Sequence, residues 1–122
     1  MSISSICILI AALLPYIATG LAKTAPGYDN RDPRSWLSTL QGWRHRAHSA
    51  HLNSFEAFPL FAIAVLAAQI KAVDVHLINP LAITFVAARI LYIVCYIANL
   101  DRLRSLVWLV GIGCCVALLT YT

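Results

Sequence analysis

Ala88-Arg89-Ile90-Leu91-Tyr92-Ile93-Val94-Cys95-Tyr96-Ile97-Ala98-Asn99 closes a long apolar run, residues 75–99, in which Arg89 is the one Lys, Arg, Asp or Glu. About 20 mostly apolar residues suffice to cross a bilayer, so the run reads as a membrane-spanning helix. A cation near the middle of such a helix costs roughly 2.5–3.5 kcal/mol even on lenient insertion scales, and it faces a partner or a watery cavity rather than lipid. Arg89 therefore implies that this helix belongs to a bundle with a polar interior.

The rest of the chain agrees. Of its 122 residues, 61% are hydrophobic and 11% charged, with a mean hydropathy of +0.78. A soluble domain is nearer half apolar and a quarter charged, which excludes that class. Further spans fall at residues 2–22, 46–70 and 105–122, leaving one loop, 23–45, and tight turns around Asp74 and Asp101. The expected fold is all-α, an integral membrane four-helix bundle occupying residues 1–122 as one domain. No Lys or Arg precedes the first span, and Thr19-Gly20-Leu21-Ala22 is a poor processing site, so this span reads as a retained helix.

Charge sets the orientation. The net charge is +4, and Lys23, Arg31, Arg34, Arg44 and Arg46 lie in or beside the first connection. Arg102 and Arg104 lie at the third, whereas the second carries only Lys71. Excess Lys and Arg marks cytoplasmic loops, so loops 1 and 3 are expected in the cytoplasm and both termini on the opposite side. Orientation and anionic headgroups account for the basic residues, and no nucleic-acid partner is expected.

The cysteines and histidines offer no metal centre. Cys7, Cys95, Cys114 and Cys115 all fall in apolar spans. Cys114 and Cys115 point about 100° apart on a helix and read as inert thiols. His45, His48 and His51 rotate by about 60° per step, whereas zinc-binding helices use an i, i+4 pair. They read as interfacial or hydrogen-bonding groups. Trp36 and Trp43 suit the aromatic belt at the membrane surface.

Two polar helix faces remain. Arg46, Ser49, Asn53 and Glu56 fall within an arc of about 80°, as do Arg89, Tyr92, Tyr96 and Asn99. At 1.5 Å per residue, Glu56 lies about 15 Å below Arg46, and Arg89 about 16 Å from the cytoplasmic end of its span. Matched depth predicts a Glu56–Arg89 ion pair. Either the pair is purely structural, so that removing one partner strands the other, or both groups contact a ligand. Polar residues at this depth join helices or line a site. Arg104, opening the fourth span, is either an orientation anchor or a cation aimed at a ligand's reactive end. Arg31 and Arg34 either sit in an ordered turn or reach an anionic ligand at the mouth.

Asn53-Ser54-Phe55-Glu56-Ala57-Phe58-Pro59-Leu60-Phe61, preceded by Arg46-Ala47-His48, resembles a signature of the MAPEG family, membrane-associated proteins in eicosanoid and glutathione metabolism. Arg89-x-x-Tyr92-x-x-x-Tyr96 followed by Arg104 resembles the family's second signature, and Tyr28-Asp29-Asn30-Arg31-Asp32-Pro33-Arg34 resembles its bacterial members. The resemblance implies a homotrimer in a bacterial inner membrane with glutathione as co-substrate between subunits. By the same resemblance Arg46, Asn53, Glu56, Arg89, Tyr92 and Tyr96 hold glutathione, and Arg104 stabilises its thiolate. Two positions depart from the pattern: Ser49 stands where family enzymes often have Arg, and Ala57 where they often have Tyr. The implied activity is a glutathione-dependent transferase or peroxidase acting on lipophilic small molecules from the bilayer. The rival is a non-catalytic membrane protein that keeps the scaffold and its polar network. A third reading is a carrier for a small anion.

Overall fold

The computed structural model describes residues 1–122 and contains five helices and no strand. They are α1 (Ile3–Ala22), α2 (Pro33–Ser38), α3 (Gly42–Ile70), α4 (Val75–Ile97) and α5 (Asp101–Thr120). The four longer helices are each long and apolar enough to cross a membrane, as expected. Their ends differ from the expected spans, because apolar content marks where lipid begins and not where the helix begins. α3 opens at Gly42, taking in Trp43, Arg44 and His45, and α5 opens at Asp101 with Arg102 and Arg104 in its first turns. The short α2 was not expected in the loop. It forms because Asp32 accepts from the Ser35 amide at 3.3 Å and Pro33 occupies the first turn, where a missing N–H does no harm.

Two sharp turns reverse the chain. After α3, the Val73 amide donates to Ala68 O at 3.0 Å around Ala72, whose φ is 54°. After α4, the Leu100 amide donates to Cys95 O at 2.8 Å around Asn99, whose φ is 62°. Both are left-handed caps that tie off the last carbonyls of a helix. Asn99 is thus a capping residue beyond the helix end, and the expectation that it continues the Arg89–Tyr92–Tyr96 face is corrected. Asp74 then starts α4 by accepting from the His76 amide at 2.9 Å.

The long helices alternate in direction. α3 packs against α1, α4 and α5, and α4 packs against α1, α3 and α5, so α3 and α4 form the middle of the bundle and α1 and α5 its flanks. In the core the rings of Phe61 and Phe85 stack at 3.9 Å with 6° between their planes. Cys7 and Ala11 of α1, and Cys114, Cys115 and Leu118 of α5, close around that pair. At one end Gln69 donates to Ser4 Oγ at 2.8 Å, and at the other, the loop end, Arg44 Nε donates to Thr24 Oγ1 at 3.1 Å. Only 30 of 122 residues are buried, so most of the apolar side chains, Leu13, Ile63, Leu91 and Leu109 among them, face outward toward lipid or another copy.

The buried stripe of α3 is Ala47, Ala50, Ser54, Ala57, Phe61, Ala64, Val65 and Ala68, spaced by three and four. Most of these side chains are small, which lets the neighbouring backbones approach closely. The polar row of Arg46, Ser49, Asn53 and Glu56 is rotated from the centre of this stripe by about 90° at 3.6 residues per turn. It therefore runs along the edge of the bundle rather than through its middle.

Candidate functional site

Arg89 lies inside the bundle, only 4% exposed. Its Nη2 donates to Asn53 Oδ1 at 2.9 Å and to Ser54 Oγ at 3.2 Å, and its guanidinium lies 4.1 Å from the centroid of the Tyr92 ring. Ser54 sends its own proton to Ala50 O at 2.8 Å, which leaves its lone pairs toward the guanidinium. On the inner side, among Ala11, Leu14, Ser54, Phe58 and Phe85, there is no room for a water molecule. Buried cations persist when hydrogen-bonded, and these two acceptors of Nη2 and the ring face offset part of the cost without a carboxylate.

The expected Glu56–Arg89 ion pair is absent. Arg89 meets α3 between Asn53 and Ser54, and Glu56, rotated by about 110° from the bisector of those two positions, faces out of the protomer. No Lys, Arg or His lies within 4.0 Å of its carboxylate. Arg89 meets α3 about three residues before Glu56, and Glu56 points away from it. The Glu56 carboxylate stays free on the edge of the bundle, one turn below Asn53.

A ladder of contacts leads from Arg89 to the loop end. The rings of Tyr92 and Tyr96 meet edge to face at 5.7 Å, and the Arg104 guanidinium lies 4.2 Å from the Tyr96 centroid. Cation and aromatic thus alternate from Arg89 through Tyr92 and Tyr96 to Arg104, fixing each ring by electrostatic attraction to its face. Arg46 stands at the mouth. Its Nε donates to Ile97 O at 3.1 Å, and its two terminal nitrogens have no partner in the protomer.

Asn53, Tyr92, Arg104, Ser105 and Trp108 together bound an open cavity of about 220 Å³ on the edge of the bundle. Three of the seven residues singled out from the sequence are in that lining. Tyr96 touches two lining residues, Tyr92 and Arg104, and Arg89 stands behind Asn53 and Tyr92; Arg46 and Glu56 share the α3 row of Asn53 but lie outside the lining. Ser105 and Trp108 were missed. Their signal was positional: they lie one and four residues after Arg104, and the i+4 neighbour shares its helix face.

Arg34 lies elsewhere. It borders a separate hollow of about 430 Å³ with Leu37, His48, His51, Leu52 and Phe55, on the other side of α3. His51 Nδ1 is 2.9 Å from Pro15 O, and its ring stacks on His48 at 6.0 Å. No group of three His, Cys, Asp or Glu side chains converges as metal ligands would.

A family model described as MAPEG family matches residues 3–122. No curated protein and no solved structure matches the chain.

Proposed function

This chain belongs to the MAPEG family, helical membrane bundles broadly linked to glutathione use, and we propose that it is a glutathione-dependent transferase or peroxidase acting on lipophilic electrophiles. The observation that carries the reading is the open cavity beside Asn53, Tyr92 and Arg104, with a free carboxylate at Glu56 and unpaired guanidinium nitrogens at Arg46 on the same edge. Glutathione carries two carboxylates and one ammonium. A guanidinium binds a carboxylate through two parallel hydrogen bonds, a role that suits the terminal nitrogens of Arg46. Glu56 pairs with the ammonium. Asn53, Tyr92 and Tyr96 present the amide and hydroxyl groups that a peptide backbone uses. Arg89 does not touch the tripeptide in this scheme; it positions Asn53 and Tyr92 from behind.

Arg104 acts on sulfur. The thiolate, not the thiol, is the nucleophile, and a nearby cation favours it by lowering the thiol's pKa. Arg104 sits in the first turns of α5, where the helix dipole adds positive potential to the guanidinium charge. The thiol proton leaves to water at the mouth, and the sulfur lone pair attacks an electrophile that enters from the bilayer.

One protomer walls only one side of the polar row. A neighbouring copy closes it in the homotrimer that the reading includes, with the Arg-rich loop end in the cytoplasm of a bacterial cell, where glutathione is available. A specific feature favours the alternative, a non-catalytic scaffold: Arg89 finds two hydrogen-bond acceptors and a ring face within the protomer, so part of the cost of its burial is met without a ligand. Detergent-purified protein decides between them. The transferase conjugates glutathione to chlorodinitrobenzene and loses that activity in Arg104→Ala. No heat of glutathione binding by calorimetry, with helical content intact, selects the scaffold.

A further inference from the structure

Trp108 has no role in the scheme so far, and its surroundings differ from those of the other two tryptophans. Trp36 packs edge to face on Tyr28 at 5.0 Å, and Trp43 lies under the Arg44 guanidinium at 4.6 Å. The Trp108 ring meets neither an aromatic nor a cation, and its N–H donates to no group of the protomer; the residue is exposed and lines the cavity. It lies seven residues into α5, about 10 Å below the helix start at 1.5 Å per residue. Tryptophan favours the membrane surface, where its N–H stays wet. At this depth Trp108 shares the cavity lining with two polar residues, Asn53 and Ser105.

The cavity has one available aromatic face. The Tyr92 ring is already engaged by the Arg89 guanidinium and by Tyr96, which leaves the indole of Trp108 as the free wall. At about 220 Å³ the space is below the roughly 300–1,000 Å³ of a complete ligand pocket. It suits one ring-sized group, with the tripeptide lying along Arg46 and Glu56 outside it. Arg104 stands one turn from Trp108 on the same helix face, so the cation that holds sulfur and the aromatic wall are adjacent.

We infer that Trp108 selects the second substrate, favouring flat, electron-poor aromatic electrophiles that carry nitro or carbonyl oxygens; the inference rests on the transferase reading of this cavity. An electron-rich indole stacks offset on an electron-poor ring, and Asn53, Ser105 and Arg104 offer donors to the oxygens at its edge. With chlorodinitrobenzene, the thiolate forms a bond to the ring carbon that bears chlorine. The added electron pair moves onto the nitro oxygens beside Arg104. The carbon–chlorine bond then breaks, chloride leaves with its pair and aromaticity returns. The products are the thioether, chloride and the proton released from the thiol.

The test compares Trp108→Leu and Trp108→Phe on chlorodinitrobenzene and on iodohexane, an aliphatic electrophile with neither a ring nor a nitro group. Trp108→Leu should raise the KM for the aromatic substrate about 3- to 10-fold, the range a lost aromatic pair gives. The KM for iodohexane should stay within about twofold, and Trp108→Phe should restore most of the aromatic preference. Equal effects on both electrophiles overturn the inference. A second readout needs no catalysis. In a Trp36→Phe, Trp43→Phe background, dinitrobenzene should quench the remaining indole fluorescence saturably, and hexane should not. Absent quenching overturns the Trp108 assignment whatever the activity. Saturable quenching without conjugation of either electrophile sinks the transferase reading alone.

Discussion

Asn53→Leu removes the amide oxygen that accepts from Arg89 at 2.9 Å and leaves the rest of the site in place. A hydrogen bond to a charged group contributes about 1.5–3 kcal/mol, and a guanidinium only 4% exposed cannot recover it from water. What remains for Arg89 is the Ser54 hydroxyl at 3.2 Å and the Tyr92 ring, the latter worth about 1–2 kcal/mol when desolvated. Asn53→Leu should therefore destabilise the protomer by about 2–3 kcal/mol while the bundle still folds. Arg89→Met should be milder, about 1–2 kcal/mol, because it also removes a buried charge that has no carboxylate beside it, and half-buried Asn53 can turn toward water. In the double variant the loss should fall short of the sum by about 1.5–3 kcal/mol, since the charge that Asn53→Leu strands is gone. Unfolding by sodium dodecyl sulfate in mixed micelles, followed by circular dichroism, gives all four corners of the cycle. Additivity within about 0.5 kcal/mol would refute the claim that Asn53 is what makes the buried cation tolerable.

Two further outcomes follow from single residues. Glu56→Gln should weaken glutathione binding about tenfold, measured by calorimetry, and leave thermal stability unchanged, because Glu56 has no partner in the protomer. Ala72→Gly should stabilise the protein by about 0.5–1 kcal/mol in the same detergent unfolding assay, since φ of 54° strains any side chain with a Cβ.

The sequence disclosed the helices better than their directions. Four apolar runs and a central Arg89 were enough for a membrane bundle, because lipid admits few other solutions. Helix ends were harder to place, because Trp43-Arg44-His45 and Asp101-Arg102 are polar yet helical, lying where the helix leaves the lipid. The start of α2 was legible in Asp32-Pro33, an N-cap followed by proline, but a cluster of turn residues masked it. For Glu56, spacing along α3 gave the right row but not its direction. Which way that row faces depends on where the small buried stripe from Ala47 to Ala68 meets α1 and α4, and that is a property of packing. Trp108 escaped notice because one tryptophan in an apolar helix looks like lipid-facing bulk until Asn53 and Tyr92 are brought beside it from two other helices.

Whether the folded protein holds glutathione can be read from thermal unfolding of the detergent-solubilised protein under a glutathione titration. A ligand bound to the folded form alone adds about 2.7 kcal/mol of stability at a hundred times its dissociation constant, so Tm should climb steadily once glutathione passes that constant. The same titration on Arg104→Ala should give a smaller rise. A Tm that stays flat at saturating glutathione, in protein whose helices melt cooperatively, would contradict the account.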